Sequence, residues 1–242
     1  MRAMVFGVAI FLATASACLG QVEEISLQYT AKPPYLIPQD DGTVIGLTGS
    51  PIGAAFRQAG IPFKWTATPV SRSMALLKQG TGQDCIAGLY KTPERAGFAK
   101  FTNPVYRDSR YVLVARQDFP YRDGESLISL LDRKDVMVYV KQDNSYGAYI
   151  DNLLAKLAPD HYVTTLDTRD MLAFISAKHG DFMFATEDEA NYYLTAEIDD
   201  KAGLKILKIP DTPPGELRYI LCSKAVPDST IDRLNSALPS LR

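Results

Sequence analysis

The sequence has 242 residues, of which 46% are hydrophobic and 22% are charged, and its formal net charge is −2. This composition is typical of a soluble globular protein, and the length is sufficient for two lobes with separate hydrophobic cores. Because the chain is mildly acidic and contains no cluster of lysine and arginine, nucleic acid is not expected as a partner.

The first twenty residues (1–20) predict a secretory signal peptide. Arg2 precedes an apolar stretch from Met4 to Ala17 that ends in small residues, and this order is typical of export signals. The stretch is too short to span a bilayer as a permanent helix, although a buried N-terminal helix is an alternative. Cleavage before Cys18 or before Gln21 would release the protein into the periplasm, and acylation of Cys18 would instead anchor it to lipid.

Alternating strands and helices are predicted along the rest of the chain. The first series consists of strand 25–29, helix 51–59, strand 62–67, helix 72–79 and strand 84–88. Ser50 and Ser71 are the predicted caps of the two helices, and Gly60 and Gly80 follow their last turns. The second series consists of strand 136–141, helix 148–157, strand 162–166, helix 169–178, strand 182–186 and helix 188–194.

Strands separated by helices imply parallel sheets with helices on their faces. We expect two α/β lobes, the first formed by 22–108 plus 217–242 and the second by 109–216. The chain would cross between them near 105–109 and 211–216, so the two crossings form a hinge. Ligands of open α/β sheets lie at the carboxyl ends of the strands, and both sets of strand ends would face the cleft between the lobes.

The run from Gly80 to Tyr106 carries the most specific chemistry. An apolar strand ends in Gly88, and Thr92-Pro93 then starts a helix that has Arg95 in its first turn. Threonine at the N-cap and proline at the first helical position are a strong start signal. They place the guanidinium beside backbone N–H groups that favour anions. This arrangement predicts a site for a small carboxylate.

Cys85 and Cys222 would remain after cleavage before Gln21. Two thiols in an oxidising compartment suggest one disulfide. Each cysteine also lies in an apolar predicted strand, where a free thiol packs as a small hydrophobic group, and both possibilities stay open. The histidines, His161 and His179, form no cluster with cysteine, so neither a metal site nor a cofactor is expected.

The motif G-x-x-x-T-P-E-R at Gly88–Arg95, followed by F-x-x-P-x-Y at Phe101–Tyr106, resembles the signature region of the family 3 extracellular solute-binding proteins. These are the polar amino-acid receptors of bacterial import systems, and the resemblance extends from Leu27 to about Leu238. It implies a type II periplasmic-binding-protein fold with two α/β lobes, each a mainly parallel sheet flanked by helices, joined by a two-segment hinge. It also implies that Arg95 grips the carboxylate of the ligand, since a guanidinium pairs well with a planar carboxylate.

The resemblance implies further ligand-binding residues in the first lobe. Tyr29, Lys32 and Tyr35 lie in the first loop, where aromatic rings would sandwich a ligand and a lysine would favour an anionic one; Pro33-Pro34 could equally serve only to stiffen this loop. Tyr90 stands where amino-acid receptors usually have threonine or serine. Its hydroxyl can still donate a hydrogen bond, but the larger side chain departs from the usual amino-acid pose.

Three further residues are candidates in the second lobe. Ser145 and Tyr146 match the family's helix start that donates N–H groups to the carboxylate, and simple helix capping is the alternative. Glu187 matches the acidic residue that the family keeps for the ligand's ammonium group, although it could belong to an acidic first helical turn. In the first lobe, Arg72 lies at a helix start, where the macrodipole disfavours a cation, so its side chain could line the cleft.

These patterns predict a periplasmic, non-enzymatic, monomeric receptor that closes around a small anionic or zwitterionic solute. The solute would carry a carboxylate, as an amino acid or an organic acid does, and the closed form would dock onto an ABC-transporter membrane permease or a sensor. One alternative is a periplasmic dehydratase of the cyclohexadienyl type, with Glu187 or Glu94 as general acid. Another is an accessory or sensory protein that binds a partner protein without a solute.

Overall fold

Two mixed sheets with helices packed on them organise the computed structural model, which describes residues 24–197 and 203–241. The predicted signal peptide, its cleavage positions and Cys18 lie outside these residues. None of the helices in the described ranges is long and apolar enough to cross a membrane.

The strands are β1 (Ile25–Tyr29), β2 (Ile37–Pro38), β3 (Val44–Ile45), β4 (Phe63–Ala67), β5 (Asp84–Tyr90), β6 (Ala99–Phe101), β7 (Tyr106–Arg107), β8 (Tyr111–Arg116), β9 (Val138–Lys141), β10 (His161–Thr164), β11 (Phe182–Thr186), β12 (Leu204–Leu207) and β13 (Leu217–Ser223). The helices are α1 (Gly49–Gln58), α2 (Val70–Gln79), α3 (Pro93–Phe98), α4 (Leu127–Leu131), α5 (Ala148–Leu157), α6 (Thr168–Ser176), α7 (Glu187–Tyr192) and α8 (Asp228–Ala237). A π-helical turn, Tyr193–Glu197, follows α7.

Each sheet combines a parallel part with an antiparallel part. The first sheet has the order β4-β1-β5-β13-β6, with β7 also beside β13; β4, β1 and β5 are parallel and β13 is antiparallel to its neighbours. The second has the order β10-β9-β11-β8-β12, in which β10, β9 and β11 are parallel and β8 is antiparallel to its neighbours. We call the two sheets with their helices the first and second lobes. The chain passes between the sheets after β7 and returns before β13.

Hydrophobic residues cover both faces of each sheet. Successive side chains of a strand point to opposite faces, so Ile220 packs in one core cluster with Leu27, while Leu221 packs in another with Leu77. In the second sheet, Leu113 and Val114 are divided between two clusters in the same way. Burying both faces explains why the central strands are almost continuously apolar.

Cys85 and Cys222 are directly opposite each other on β5 and β13. Their Sγ atoms are 2.05 Å apart in a disulfide, and both residues are fully buried. The bond joins positions 137 residues apart. It therefore connects the strand that enters α3 with the strand that returns from the second lobe.

The first two helices begin earlier than predicted. α1 starts at Gly49 after Thr48, and α2 starts at Val70 after Pro69, so the expected caps Ser50 and Ser71 lie inside the first turns. The first-turn N–H groups of a helix have no intrahelical partner, so these positions tolerate a serine or a proline without a capping role.

Candidate functional site

Among the described residues, three cavities lie where the lobes meet: two large ones, and a small one of about 280 Å³ that Lys32, Lys141 and Glu189 help to line. The first has a volume of about 760 Å³, open solvent included, and is lined by the segment after β1, by β5 and α3, by the loop after β9 and by one residue of β13. The second, of about 1120 Å³, lies between α2, α3 and the same loop of the second lobe. Both are therefore at the carboxyl ends of parallel strands, where open α/β sheets bind ligands.

Arg95 lines both large cavities. The Thr92 hydroxyl accepts a hydrogen bond from the Arg95 N–H at 3.2 Å, and this cap fixes the first turn of α3 as predicted. The residue is only 8% exposed, and its Nη1 donates to the Tyr90 carbonyl at 2.9 Å. Burial lowers the pKa of the guanidinium, and the charges of Glu94 and Asp151 only partly offset this effect. Among the described residues, no carboxylate lies within 4.0 Å of it.

A second buried arginine, Arg218 of β13, also lines the first cavity, but each nitrogen of its guanidinium already donates a hydrogen bond within the protein. Its Nε and Nη2 donate to the two carboxylate oxygens of Asp108 at 2.6 and 2.7 Å, and Nη1 donates to the Gly88 carbonyl at 2.9 Å. Gly88 has a φ of +69°, and a Cβ there would lie 2.9 Å from the Thr48 hydroxyl oxygen. The motif's glycine thus lets the backbone of β5 turn its carbonyl to this arginine.

Tyrosines complete the group around Arg218. Its guanidinium carbon lies 3.9 Å from the ring centroid of Tyr35 and 4.8 Å from that of Tyr90. The Tyr90 hydroxyl donates to Asp108 and lies 2.9 Å from the Tyr111 hydroxyl. Burial opposes the charge of Arg218, but the nearby Tyr90, Asp108 and Tyr35 raise its pKa. We call Tyr35, Tyr90, Asp108, Tyr111 and Arg218 the floor cluster.

Other contacts join the lobes beside the floor cluster. The Tyr35 hydroxyl is 2.5 Å from the Thr186 hydroxyl at the end of β11. Lys32 lies 3.8 Å from Glu189 of α7, whose carboxylate also accepts a hydrogen bond from Thr168 at 2.9 Å. Burial lowers the pKa of Lys32, and Glu189 offsets part of this effect.

The family model for bacterial extracellular solute-binding proteins, family 3, matches residues 26–206. The chain belongs to this family. No curated protein sequence matches it.

Solved structures share its fold at low identity. An ancestral arginine-binding protein bound to arginine has a TM-score of 0.72 at 16% identity, covering 90% of this chain and 92% of its own. The glutathione-import structure of Streptococcus mutans, with GshT and the cystine ABC importer TcyBC, has a TM-score of 0.71 at 16% identity over 89% and 88%. The ancestral amino acid-binding protein AncCDT-1, a precursor of cyclohexadienyl dehydratase, has a TM-score of 0.68 at 16% identity over 89% and 88%. The architecture is the type II two-lobe fold that the motif implied.

Of the sequence-predicted residues of this family 3 chain, several line the first cavity: Lys32, Tyr35, Tyr90, Arg95 and Ser145. The hydroxyl groups of both tyrosines are engaged within the protein, as described above. Tyr29 lines neither of the two large cavities, because its ring packs edge-on against Trp65 at 5.7 Å. Arg72 is exposed and likewise lines neither.

The expected acidic residue of the cleft is placed differently from the prediction. Glu187 lines neither cavity, and its carboxylate pairs with Lys208 at 2.7 Å. Glu189 is instead the buried acid facing Lys32. Thr186 caps α7, so Glu187 is its first residue; two helical steps rotate a side chain by about 200°. Glu187 and Glu189 therefore lie on opposite sides of the helix.

Ser145 and Tyr146 lie at the start of α5, where they interact with their own helix. The Ser145 hydroxyl donates to Asp151 at 2.5 Å, and the Tyr146 N–H donates to the same carboxylate at 2.8 Å. The Gly147 N–H donates to the Ser145 hydroxyl at 3.2 Å. The Tyr146 side chain is buried and accepts a bond from the Lys141 N–H. Asp151 of α5 thus holds the two residues that precede the helix, while the N-cap residue Gly147 has no side-chain cap.

Asp108, Arg218 and Glu189 are central to the site and were not predicted from the sequence. Arg218 lies in the otherwise apolar strand β13 and Asp108 within a predicted crossing. A charged residue inside a buried strand needs a partner, which is the one signal that could have identified Arg218. Its partner is 110 positions away.

Proposed function

We propose that this chain is a periplasmic solute-binding protein that captures a small carboxylate-bearing solute between its lobes. One observation carries the proposal: Arg95 is only 8% exposed and lines cavities between the lobes, and its guanidinium has no carboxylate within 4.0 Å among the described residues. A buried cation without a counter-ion is costly. A ligand carboxylate would neutralise the charge of Arg95 and accept hydrogen bonds from the N–H groups of its guanidinium that have no partner within the protein.

The second lobe would add contacts on closure. Asn144 and Ser145 line the first cavity opposite α3, so movement of the lobes about the two crossings would bring them to a solute held by Arg95. Lys32 would add positive charge from the first loop. The 1–20 segment would direct export, and the closed protein would deliver its solute to an ABC-type membrane permease. The similarity to the Streptococcus mutans import structure supports this kind of partner.

The test is a thermal-shift screen of amino acids and organic acids, followed by calorimetric titration of any stabiliser. Arg95→Ala should weaken binding about 100-fold, because truncating one partner of a buried charge pair costs about 2–5 kcal/mol. Arg72→Ala is the matched control: this exposed arginine lies on the neighbouring helix and lines neither cavity, so its affinity should be unchanged.

Retained affinity in Arg95→Ala would refute the role of this residue. If no compound of either class stabilises the protein, the result would favour an accessory protein that binds a partner chain instead of a solute.

A dehydratase is the second candidate, because the fold is similar to that of a precursor of cyclohexadienyl dehydratase. This candidate is less well supported, because both carboxyl groups that could act as the general acid are paired with lysines. Glu187 pairs with Lys208, and Glu94 is 76% exposed on its side chain and pairs with Lys78 at 3.0 Å. Turnover of a cyclohexadienyl acid, followed by absorbance, would favour this candidate over a receptor.

A further inference from the structure

The charges around the first cavity are unbalanced. Its lining includes four cationic side chains, Lys32, Arg95, Lys141 and Arg218, and one acidic side chain, Asp143. Asp143 is exposed, so water screens its charge. A cavity with this lining attracts anions and repels cations.

The four cations differ in what already neutralises them. Arg218 is bonded to both oxygens of Asp108, and Lys32 has Glu189 at 3.8 Å. Arg95 and Lys141 have no carboxylate within 4.0 Å among the described residues. These two come from opposite lobes, from α3 and from the end of β9. The cavity therefore has an unneutralised cation on each side.

The acidic residues nearest to the first cavity, apart from Asp143, already have partners within the protein. Glu187 pairs with Lys208, Glu189 with Lys32 and Thr168, and Asp151 with Ser145 and the Tyr146 N–H. An ammonium in the first cavity would have only the exposed Asp143 among the acidic residues that line it. It would also lie among like charges, which costs free energy.

We propose that the solute is a small dicarboxylate without an amine, with one carboxylate on Arg95 and the other on Lys141 and Lys32. This rests on the proposed function and names its ligand class. The two ends of the molecule would meet cations of different lobes, so binding would favour the closed arrangement.

The test uses pairs of probes that differ only by the amine: succinate against aspartate, and glutarate against glutamate. Butyrate serves as the monocarboxylate probe and glutamine as the amino acid without a second charge. In calorimetric titrations, at least one dicarboxylate should bind about tenfold or more tighter than its amino counterpart and than butyrate. A single charge-assisted hydrogen bond accounts for a difference of this size.

Variants locate the second carboxylate. Lys141→Met should weaken dicarboxylate binding about tenfold and butyrate binding much less, because the single carboxylate of butyrate would lie on Arg95. Lys134→Met is the matched control, because this exposed lysine of the same lobe lines neither cavity and should have no effect. Circular dichroism and the melting temperature verify that each variant is folded.

The outcomes separate the two proposals. If aspartate, glutamate or glutamine binds as tightly as the dicarboxylates or more tightly, the ligand class is wrong while the receptor function stands. If Lys141→Met binds dicarboxylates like the unmodified protein, the assignment of the second carboxylate is wrong. If none of the probes and no other amino or organic acid binds, the proposed function itself fails.

Discussion

Arg95 and Arg218 both line the first cavity, and both are buried, with 8% and 4% of their surface exposed. Arg218 is bonded to Asp108 and Gly88 and lies against two tyrosine rings, and its charged and aromatic neighbours raise its pKa. Arg95 has one hydrogen bond to a carbonyl, and burial lowers its pKa. The same side chain thus occurs in a satisfied and in an unsatisfied environment within one cavity.

This difference separates a structural role from a binding role. Burying a charge is tolerated where partners replace its hydration, as they do for Arg218. At Arg95 the hydration is only partly replaced, so the remaining donors are available to a ligand. Removing a partner of Arg218 should therefore damage the fold, whereas removing Arg95 should damage binding alone.

Among the variants, Asp108→Asn should give the largest loss in the free energy of unfolding. The variant leaves Arg218 buried without its counter-charge, and breaking a buried pair in this way costs about 3–5 kcal/mol. The free energy of unfolding from urea denaturation measures the loss. Asp118→Asn is the control, because Asp118 pairs with Arg116 and Lys178 at the surface, with 51% of its side chain exposed. We expect a change of at most about 1 kcal/mol there.

The double variant Asp108→Leu/Arg218→Met sharpens this test. Replacing both partners with apolar groups should recover most of the stability lost in Asp108→Asn. Equal costs for Asp108→Asn and Asp118→Asn would contradict the structural role of the floor cluster.

Arg95→Met should have a much smaller effect on stability. The variant loses one hydrogen bond to the Tyr90 carbonyl, but it also removes a charge whose burial is unfavourable. We expect the free energy of unfolding to change by about 1 kcal/mol or less, while binding of the solute weakens about 100-fold, as in Arg95→Ala. A loss as large as that of Asp108→Asn would mean that Arg95 is a structural residue, and the contrast between the two arginines would disappear.

Features fixed by neighbouring residues could be predicted from the sequence. Thr92 and Pro93 alone determine where α3 starts, and the structure confirms both the start and the place of Arg95 in the first turn. The alternation of strands and helices likewise predicted the parallel parts of both sheets. Strand β12 is not among the predicted elements, because it pairs antiparallel with β8 and does not fit that alternation.

Features that depend on distant contacts or on helix phase could not be predicted. Asp108 and Arg218 become a pair only when β13 returns to the first sheet. The sequence alone does not distinguish Glu187 from Glu189, since both are acidic residues in the first turn of α7. The N-cap at Thr186 sets the phase of the helix and so decides which of them faces the cleft. Tyr90 and Tyr35 line the first cavity, but their hydroxyls are bonded across the lobes to Tyr111 and Thr186, and these distant partners could not be predicted either.

The smallest expected effect on stability concerns Tyr106, which joins the lobes beside the floor cluster. Its hydroxyl donates to Asp188 at 3.1 Å, and its ring lies edge-on to Tyr35 at 5.9 Å. Tyr106→Phe should cost about 1 kcal/mol at neutral pH, as for one hydrogen bond. If the floor cluster holds the lobes together, this variant should keep its solute affinity.

The dependence of the unfolding free energy on alkaline pH gives a second measurement on the same variant. Burial, followed by the charge of Asp188, raises the pKa of Tyr106 to about 12 in the folded protein, compared with about 10 for an exposed tyrosine. The unfolded chain therefore loses this proton first, and stability falls as the pH rises from about 10 to about 12. Tyr106→Phe should show a shallower fall in unfolding free energy over this range. An identical slope in both proteins would mean that the Tyr106–Asp188 contact does not persist in solution, and the floor cluster would then carry more of the contact between the lobes.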